Sequence, residues 1–232
     1  MLVVKVESHE EGWWEPGTYK LHECVSEGIN FSVLIDILLP DSTRDFIEKD
    51  LDSVCNRLPR HALLAISSAC HIYINADNGH HGAEVHWVPK MVSPSSFKAR
   101  EFAVEINNWD EYASDAFMLT HENALLHEMC HIYNGVLGRD CKRIVKMYKK
   151  AFKRGKYESV LTIEGDKERA YGIQNHLEFF ASVSVAFLGG QNDYYPFTRQ
   201  DLKEFDSSTF NSLCRIWTNS KRWTRIFGCS SC

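Results

Sequence analysis

Two histidines and a glutamate near the centre of the 232-residue chain have the types and the spacing of a hydrolytic metal site. They are His127, Glu128 and His131, in the segment ALLHEMCHIYNG that covers residues 124–135. Residues four apart share one face of a helix, so both imidazoles could bind one zinc ion. Glu128 projects beside that pair, where its carboxylate could accept a proton from an attacking water. The segment therefore predicts a zinc site with its own general base.

The residues around the H-E-x-x-H motif help to decide whether it is a metal site or a chance match. A chain with this content of histidine and glutamate contains H-E-x-x-H by chance in about 4% of cases. Leu125, Leu126, Met129 and Ile132 predict that the helix is buried. Ionisable side chains on a buried helix are costly unless they are paired or bind a metal, and this favours the metal site.

A catalytic zinc ion needs a third protein ligand, and two residues further along the chain could supply it. They are His176 and Glu178, in the segment AYGIQNHLEFFASVSVAF. Glu178 lies in an apolar stretch, where a carboxylate requires a partner. The alternative is that Glu178 pairs with a lysine or arginine at the surface.

Tyr171 lies seven residues before Glu178. We predict a helix over about 166–188, and two helical turns would place both residues on one face. The tyrosine hydroxyl could then donate a hydrogen bond to the oxyanion of a tetrahedral intermediate. The alternative is an ordinary core tyrosine.

The two motifs together resemble a known family. H-E-x-x-H on one helix, followed by A-Y-x-x-x-N-x-x-E-[YF]-F-A on a second, is similar to the gluzincin zinc metallopeptidases. In particular it resembles the anthrax lethal factor-like catalytic domains and related uncharacterised zincin-like proteins. The segment NDYYPFTRQDL (192–202) is similar to the one that follows the second helix in those proteins. The resemblance covers roughly residues 82–205, and the part before it matches only in the order of elements.

This resemblance implies one zinc ion (Zn2+) per chain, held by His127, His131 and Glu178. It also implies Glu128 as general base and Tyr171 as oxyanion donor. The chain departs from the family pattern in two places. Many relatives carry a second acid where this chain has Ser182, and longer helical continuations replace Asn134 and Gly135. Loss of an acid that supports a histidine ligand would weaken the support of the metal site.

The elements that must position these residues change along the chain from strands to helices. Alternation and β-branched residues predict strands, and helical periodicity predicts helices. The strands are predicted at 20–25, 28–39, 71–75, 82–88 and 102–108, and the helices at 43–58, 121–137, 139–154, 166–188 and 199–214. Thr120 is the predicted N-cap of the motif helix, and Gly135 and Gly138 are its stop signals.

This order predicts an α+β fold with a small mixed sheet. By resemblance it is a single zincin-like catalytic domain over residues 1–232. The upper lobe, about 1–137, carries the H-E-x-x-H helix below an edge strand, and the lower lobe, about 138–232, is mainly helical.

The segment GAEVHWV (82–88) is the predicted edge strand, because turn residues precede it and Pro89 follows. Zincins bind an extended peptide along such a strand, by strand addition. The candidate substrate-binding residues are Gly82, Ala83, Glu84, Val85 and His86. The alternative is an edge covered by its own loop. His80, His81 and His86 could be further metal ligands, although NGHHG is also typical of a solvated turn.

Composition excludes several classes of protein. The chain is 44% hydrophobic and 25% charged, which is ordinary for a globular protein. A net charge of −5 gives no general attraction to nucleic acid. Apolar runs such as FSVLIDILL are too short to span a bilayer, and the first residues lack the features of a signal peptide. We therefore predict a cytoplasmic protein with reduced cysteines, or a secreted one if a leader was removed.

Residues 139–156 carry nine lysines and arginines and a single acid, Asp140. The segment is either the solvated face of a packed helix or a surface for an acidic partner, a membrane surface or nucleic acid. The leading prediction for the whole chain is a zinc-dependent metallopeptidase that hydrolyses a peptide or protein substrate. The alternatives are an inactive zincin scaffold that acts as a binding module, and a protein that binds anions or nucleic acid through 139–156.

Overall fold

The structure is a computed structural model that describes residues 2–6, 17–87, 102–121 and 123–218. Several features of the sequence lie outside these ranges. They include Trp13, Trp14, Trp223 and the C-terminal cysteines Cys229 and Cys232.

Within the described residues, a six-stranded mixed sheet forms the first half of the fold. A mixed sheet was predicted, but its first strand, β1, was not. Its strand order is β1-β2-β3-β4-β6-β5. The central strands β3, β4 and β6 are parallel, and the flanking pairs are antiparallel. The strands are β1 Leu2–Val6, β2 Gly17–Ser26, β3 Ile29–Asp36, β4 Cys70–Ile74, β5 Ala83–Trp87 and β6 Phe102–Ile106. Within the described residues β5 is the outermost strand on its side, which agrees with the edge strand predicted at 82–88.

Local sequence explains how two of the strands form. All five residues of β4 are buried, as expected for a central strand with parallel neighbours. Glu27 and Gly28 join β2 to β3 and both have positive φ, 49° and 68°. This is the conformation of a tight two-residue hairpin turn, and glycine adopts it without steric cost.

Helices cover the sheet and make up most of the second half. They are α1 Ser42–Cys55, α2 Arg60–Ala69, α3 Trp109–Tyr112, α4 Asp115–His121, α5 Ala124–Leu137, α6 Lys142–Arg154, α7 His176–Phe187, α8 Arg199–Phe205 and α9 Ser207–Trp217. A two-stranded ribbon, β7 Val160–Leu161 and β8 Lys167–Glu168, lies between α6 and α7. Within the described residues, none of these helices combines the length and the apolar character needed to cross a membrane.

Three predicted helix boundaries are wrong. The helix predicted at 43–58 ends at Cys55, and Pro59 begins the unpredicted helix α2. Thr120 lies inside α4 and does not cap the motif helix, which begins after Asn123. The helix predicted at 199–214 is two helices, because the Asp206 side chain accepts a hydrogen bond from the Thr209 amide and starts α9.

The fourth correction affects the site directly. Residues 166–188 are not one helix: β8 is followed by a 3₁₀ turn at Tyr171–Gln174, and α7 begins only at His176. Asn175 is extended, and its side-chain oxygen accepts hydrogen bonds from the amides of Leu177 and Glu178 at 2.9 and 3.0 Å. An asparagine in this position is a strong N-cap and competes with continuation of the helix.

One cluster of buried apolar side chains joins the sheet to the C-terminal helices. At its helical end Trp217 of α9 stacks on Tyr133 of α5 and on Phe180 of α7, with ring centroids 4.5 and 5.7 Å apart. The Trp217 indole also donates a 3.0 Å hydrogen bond to the Ser184 hydroxyl. These contacts fix α5 and α7 against each other.

Candidate metal centre

Helix α5 carries the H-E-x-x-H motif through the interior of the molecule. Its apolar residues Leu125, Leu126, Met129 and Ile132 are all buried, as predicted. His131 is 7% exposed and Glu128 is 8% exposed. Helices α2 and α7 and strands β5 and β6 pack against α5. The ionisable side chains of the motif therefore lie in a low-dielectric environment, where each needs a partner.

Three donor atoms from α5 and α7 converge on one point. The Nε2 atoms of His127 and His131 lie 3.1 Å apart. The Oε2 atom of Glu178 lies 3.3 Å from each of them. Within the described residues, this is the group of histidine, cysteine and acidic side chains whose donor atoms are close enough to hold a metal ion.

The dimensions of this triangle fit zinc. Zinc binds imidazole nitrogen and carboxylate oxygen at about 2.0–2.2 Å, so tetrahedral ligand atoms are roughly 3.3–3.5 Å apart. The observed separations of 3.1 to 3.3 Å are close to that value. Two imidazoles and one carboxylate are also a donor set that catalytic zinc sites use.

The other histidines considered as ligands lie elsewhere. His176 contacts the backbone carbonyl of Arg139 at 3.1 Å and the Asp140 carboxylate at 3.3 Å. His81 contacts the Glu111 carboxylate at 3.1 Å. Neither these two nor His80 or His86 belongs to the convergent group.

The surface ion pair considered as an alternative for Glu178 is not formed. The ion-pair partners of this carboxylate are the two motif histidines, and no lysine or arginine among the described residues pairs with it. Burial alone would raise the pKa of Glu178, but the hydrogen bonds and charges of His127 and His131 lower it far below its usual range. Glu178 is therefore an anion at neutral pH, as a metal ligand must be.

The two imidazoles differ in their electrostatic environment. Burial lowers the pKa of His127 despite the opposing effect of Glu178. Burial also acts to lower the pKa of His131, but the nearby carboxylates of Glu178 and Glu128 outweigh it and raise that pKa. A neutral imidazole is the form that binds a metal, so acid competes with metal most strongly at His131.

Glu128 and Tyr171 line the same cavity as His127. Tyr171 reaches it from the 3₁₀ turn, so the predicted shared helical face with Glu178 is wrong, although the two residues remain neighbours. Burial raises the pKa of Tyr171, and the carboxylates of Glu178 and Glu128 raise it further. The residue is 49% exposed, which excludes the alternative of an ordinary core tyrosine.

Ser182 of α7 lies against the turn that holds Tyr171. A Cβ atom built on Gly172 would lie 3.0 Å from the Ser182 hydroxyl oxygen. The close approach of this turn to α7 therefore depends on the missing side chain of Gly172. Ser182 also lines the cavity.

The cavity has a volume of about 480 Å³, which is the size of a small-molecule or side-chain binding site. Of the five predicted substrate-binding residues, Gly82 and Ala83 line it. Glu84 instead accepts a 2.9 Å hydrogen bond from Asn107, and neither Val85 nor His86 is part of the lining.

The sequence did not predict several other residues that line this cavity. Phe117 and His121 of α4 and Asp193 and Tyr194 of the loop before α8 line the cavity. The resemblance noted for residues 192–202 drew attention to that loop. No local feature of the sequence indicated that α4 would lie beside it.

Comparisons of this chain with protein-family models, with curated proteins and with solved structures gave no match. What can be said of its chemistry therefore depends on the geometry of His127, His131 and Glu178 and on the residues around them.

Proposed function

We propose that this chain is a zinc-dependent metallopeptidase of the gluzincin type. The observation that carries the proposal is the triangle of His127, His131 and Glu178, because its member His127 lines the same cavity as Glu128 and Tyr171. This combination supports hydrolysis because it supplies a metal-binding set, a base and a hydrogen-bond donor around one space.

The three converging side chains would hold the metal. When bound, zinc would lower the pKa of a water molecule toward about 7 and polarise the scissile carbonyl. Side chains of the protein carry out the proton transfers and stabilise the oxyanion.

Glu128 is the general base. Its carboxylate accepts a proton from the attacking water and passes it to the leaving amine, as general acid–base catalysis requires. Its place one residue after His127 keeps it beside the metal-binding set and out of it. Its burial in the cavity wall limits competing hydration.

Tyr171 is the oxyanion donor. A tyrosine hydroxyl is protonated at neutral pH, and burial and the nearby carboxylates shift the pKa of Tyr171 further from neutrality, so it can donate a hydrogen bond to the oxygen that gains negative charge. Because the 3₁₀ turn holds this side chain, the turn's contact with α7 sets where the hydroxyl lies.

Strand β5 is the proposed site for the substrate backbone. Among the described strands it lies at one edge of the sheet, and its first residue, Ala83, lines the cavity together with the preceding Gly82. An extended peptide could pair with it and pass Gly82 and Ala83, with one side chain in the cavity.

The test is cleavage of an unbiased peptide library by the purified protein, with and without a chelator. Glu128→Gln should retain one zinc per chain and lose turnover, because amide and carboxylate have the same shape but only the carboxylate is a base. Glu164→Gln, an exposed glutamate outside the cavity, is the matched control and should cleave at the wild-type rate.

Two results would contradict the proposal. Cleavage by Glu128→Gln at the wild-type rate would remove the base assignment. Zinc binding without cleavage of any peptide by the wild-type chain would favour the inactive scaffold, although the presence of both Glu128 and Tyr171 weighs against that alternative.

A further inference from the structure

A second cleft lies between α6 and α9, on residues that the proposed active site does not use. Its volume is about 600 Å³. None of its lining residues also lines the cavity of the metal centre. Whatever it binds is therefore recognised independently of zinc.

One face of helix α6 presents a row of basic side chains to the cleft. Arg143, Lys146 and Lys150 line it, at positions i, i+3 and i+7 of one helix face. Only these three of the nine cations at 139–156 line the cleft. Arg215 of α9 adds a fourth positive charge from the opposite wall.

The same wall supplies neutral hydrogen-bonding groups. Ser208, Asn211 and Ser212 line the cleft at positions i, i+3 and i+4 of α9, and Arg215 follows at i+7 on the same face. Ser207, the first residue of α9, also lines it, so the positive end of the α9 dipole lies at this cleft. The buried side chains Met147 and Ile216 complete the lining.

Among the residues that the structure describes, no acidic side chain lines the cleft to balance these charges. None of its four cations forms an ion pair within the described part of the chain. Neighbouring cations of the same segment are used in packing: Arg154 pairs with Asp206 at 3.2 Å, and Lys156 bonds to the Phe205 carbonyl. Four uncompensated cations around one concave space repel each other unless an anion lies between them.

We propose that this cleft binds a ligand with several clustered phosphate groups, free in solution or as a lipid headgroup. Arginine and lysine are the side chains that recognise phosphate, and the serine hydroxyls and the asparagine amide supply further donors. A cleft of this volume fits a compact small molecule. Nucleic acid fits it less well, because none of the described lining residues is aromatic and could stack on a base, and the chain carries a net charge of −5.

The test is calorimetric titration of the full chain with inositol hexakisphosphate as the probe. We expect saturable 1:1 binding that weakens as salt is raised, because exposed charges are screened. Lys146→Gln/Lys150→Gln should weaken binding at least tenfold. Arg215→Gln, on the other wall, should weaken it severalfold, and it provides a second test if the double variant unfolds.

The matched control is Lys149→Gln/Lys153→Gln, which removes the same charge from exposed positions of the same helix outside the cleft. It should change the affinity less than twofold. Equal losses in the two double variants would show general electrostatic attraction and overturn the proposal, and so would the absence of saturable binding.

Two further binding experiments distinguish a lipid headgroup from a soluble phosphate ligand. Vesicles of phosphatidylcholine with 5% phosphatidylinositol 4,5-bisphosphate should capture the chain if the ligand is a headgroup, and inositol hexakisphosphate should then release it. Binding of the soluble probe alone supports a free ligand. Tighter binding of single-stranded RNA than of either probe, lost equally in both double variants, would overturn the proposal in favour of nucleic acid.

Discussion

Gly172 and Ser182 are packed so closely that a Cβ atom on residue 172 would lie 3.0 Å from the serine hydroxyl oxygen and 3.1 Å from its Cβ. The contact joins the turn that carries Tyr171 to the helix that carries Glu178. The position of Tyr171, the proposed oxyanion donor, relative to the proposed metal ligands therefore depends on the absence of a Cβ atom at residue 172.

Gly172→Ala should displace the turn and lower kcat/KM roughly ten- to hundredfold, because small displacements of a positioned group have effects of this size. Zinc stoichiometry should remain at one per chain, since no ligand is changed. Ser182→Gly removes the two closest atoms that the new methyl would meet and leaves the Glu178 carbonyl oxygen at 3.4 Å, so the double variant should regain most of the activity. No recovery in the double variant would contradict the positioning role. Kinetics and zinc analysis of the two single variants and the double variant provide the measurement.

Metal removal should destabilise the folded chain. The proposed zinc site exists only in the folded chain, so free zinc at 100 times its Kd should stabilise the fold by about 2.7 kcal/mol. Thermal unfolding with and without a chelator measures the shift in Tm. The shift should disappear in His131→Ala, while Glu164→Gln should keep it. An undiminished shift in His131→Ala would mean that zinc binds elsewhere.

Trp217 should be a major contributor to stability, because it is buried between Tyr133 and Phe180. Trp217→Ala should lower the free energy of unfolding by about 3–5 kcal/mol, the usual cost of truncating a buried aromatic side chain. Trp217→Phe keeps an aromatic ring but loses the hydrogen bond to Ser184, and should cost less. Urea denaturation measures both, and equal losses would contradict the importance of the stacking.

Asp50 should make stability depend on pH. Burial raises the pKa of this carboxyl, although a hydrogen bond from Tyr112 and the charge of Arg57 oppose the rise. A raised pKa in the folded state means that the contribution of Asp50 is greatest below its unfolded pKa of about 3.9 and is lost as pH rises through the folded value.

Asp50→Asn keeps an acceptor for Tyr112 but cannot ionise. Its stability relative to wild type should therefore increase as the pH is raised from 4 to 7. Asp52→Asn, an exposed position on the same helix, is the control and should show no such trend. Urea denaturation of the three chains at each pH gives the comparison, and a constant difference for Asp50→Asn would show that the carboxyl is not perturbed.

Thiol reactivity should separate Cys141 from the other described cysteines. All six are free, and Cys141 is the one that is not buried. Burial raises the pKa of Cys55 to about 11 and that of Cys24 to about 12, so neither forms much thiolate at neutral pH. With Cys229 and Cys232 replaced by serine, iodoacetamide at pH 7.5 should modify Cys141 first and the others only on unfolding. Mass spectrometry identifies the labelled sites, and early labelling of Cys130 would contradict the burial of α5.

Local patterns in the sequence determined the elements nearest the chemistry. The spacing of His127 and His131 on an apolar helix predicted both their shared face and the burial of α5. Alternation and flanking turn residues predicted the edge strand. These features depend on residues that are close together in the sequence. They can therefore be predicted without knowledge of the rest of the fold.

Only the tertiary structure decided which residues those elements meet. By residue type both His176 and Glu178 were candidates, and the resemblance favoured Glu178; in the fold, the packing of α7 on α5 brings Glu178 and not His176 to the motif histidines. Asn175 could be read as part of a long helix, but its side chain caps α7 and leaves Tyr171 on a separate turn. The α6–α9 cleft likewise exists only because two helices distant in sequence lie side by side. Contacts of this kind are set by the joint packing of many side chains, which no single segment of sequence contains.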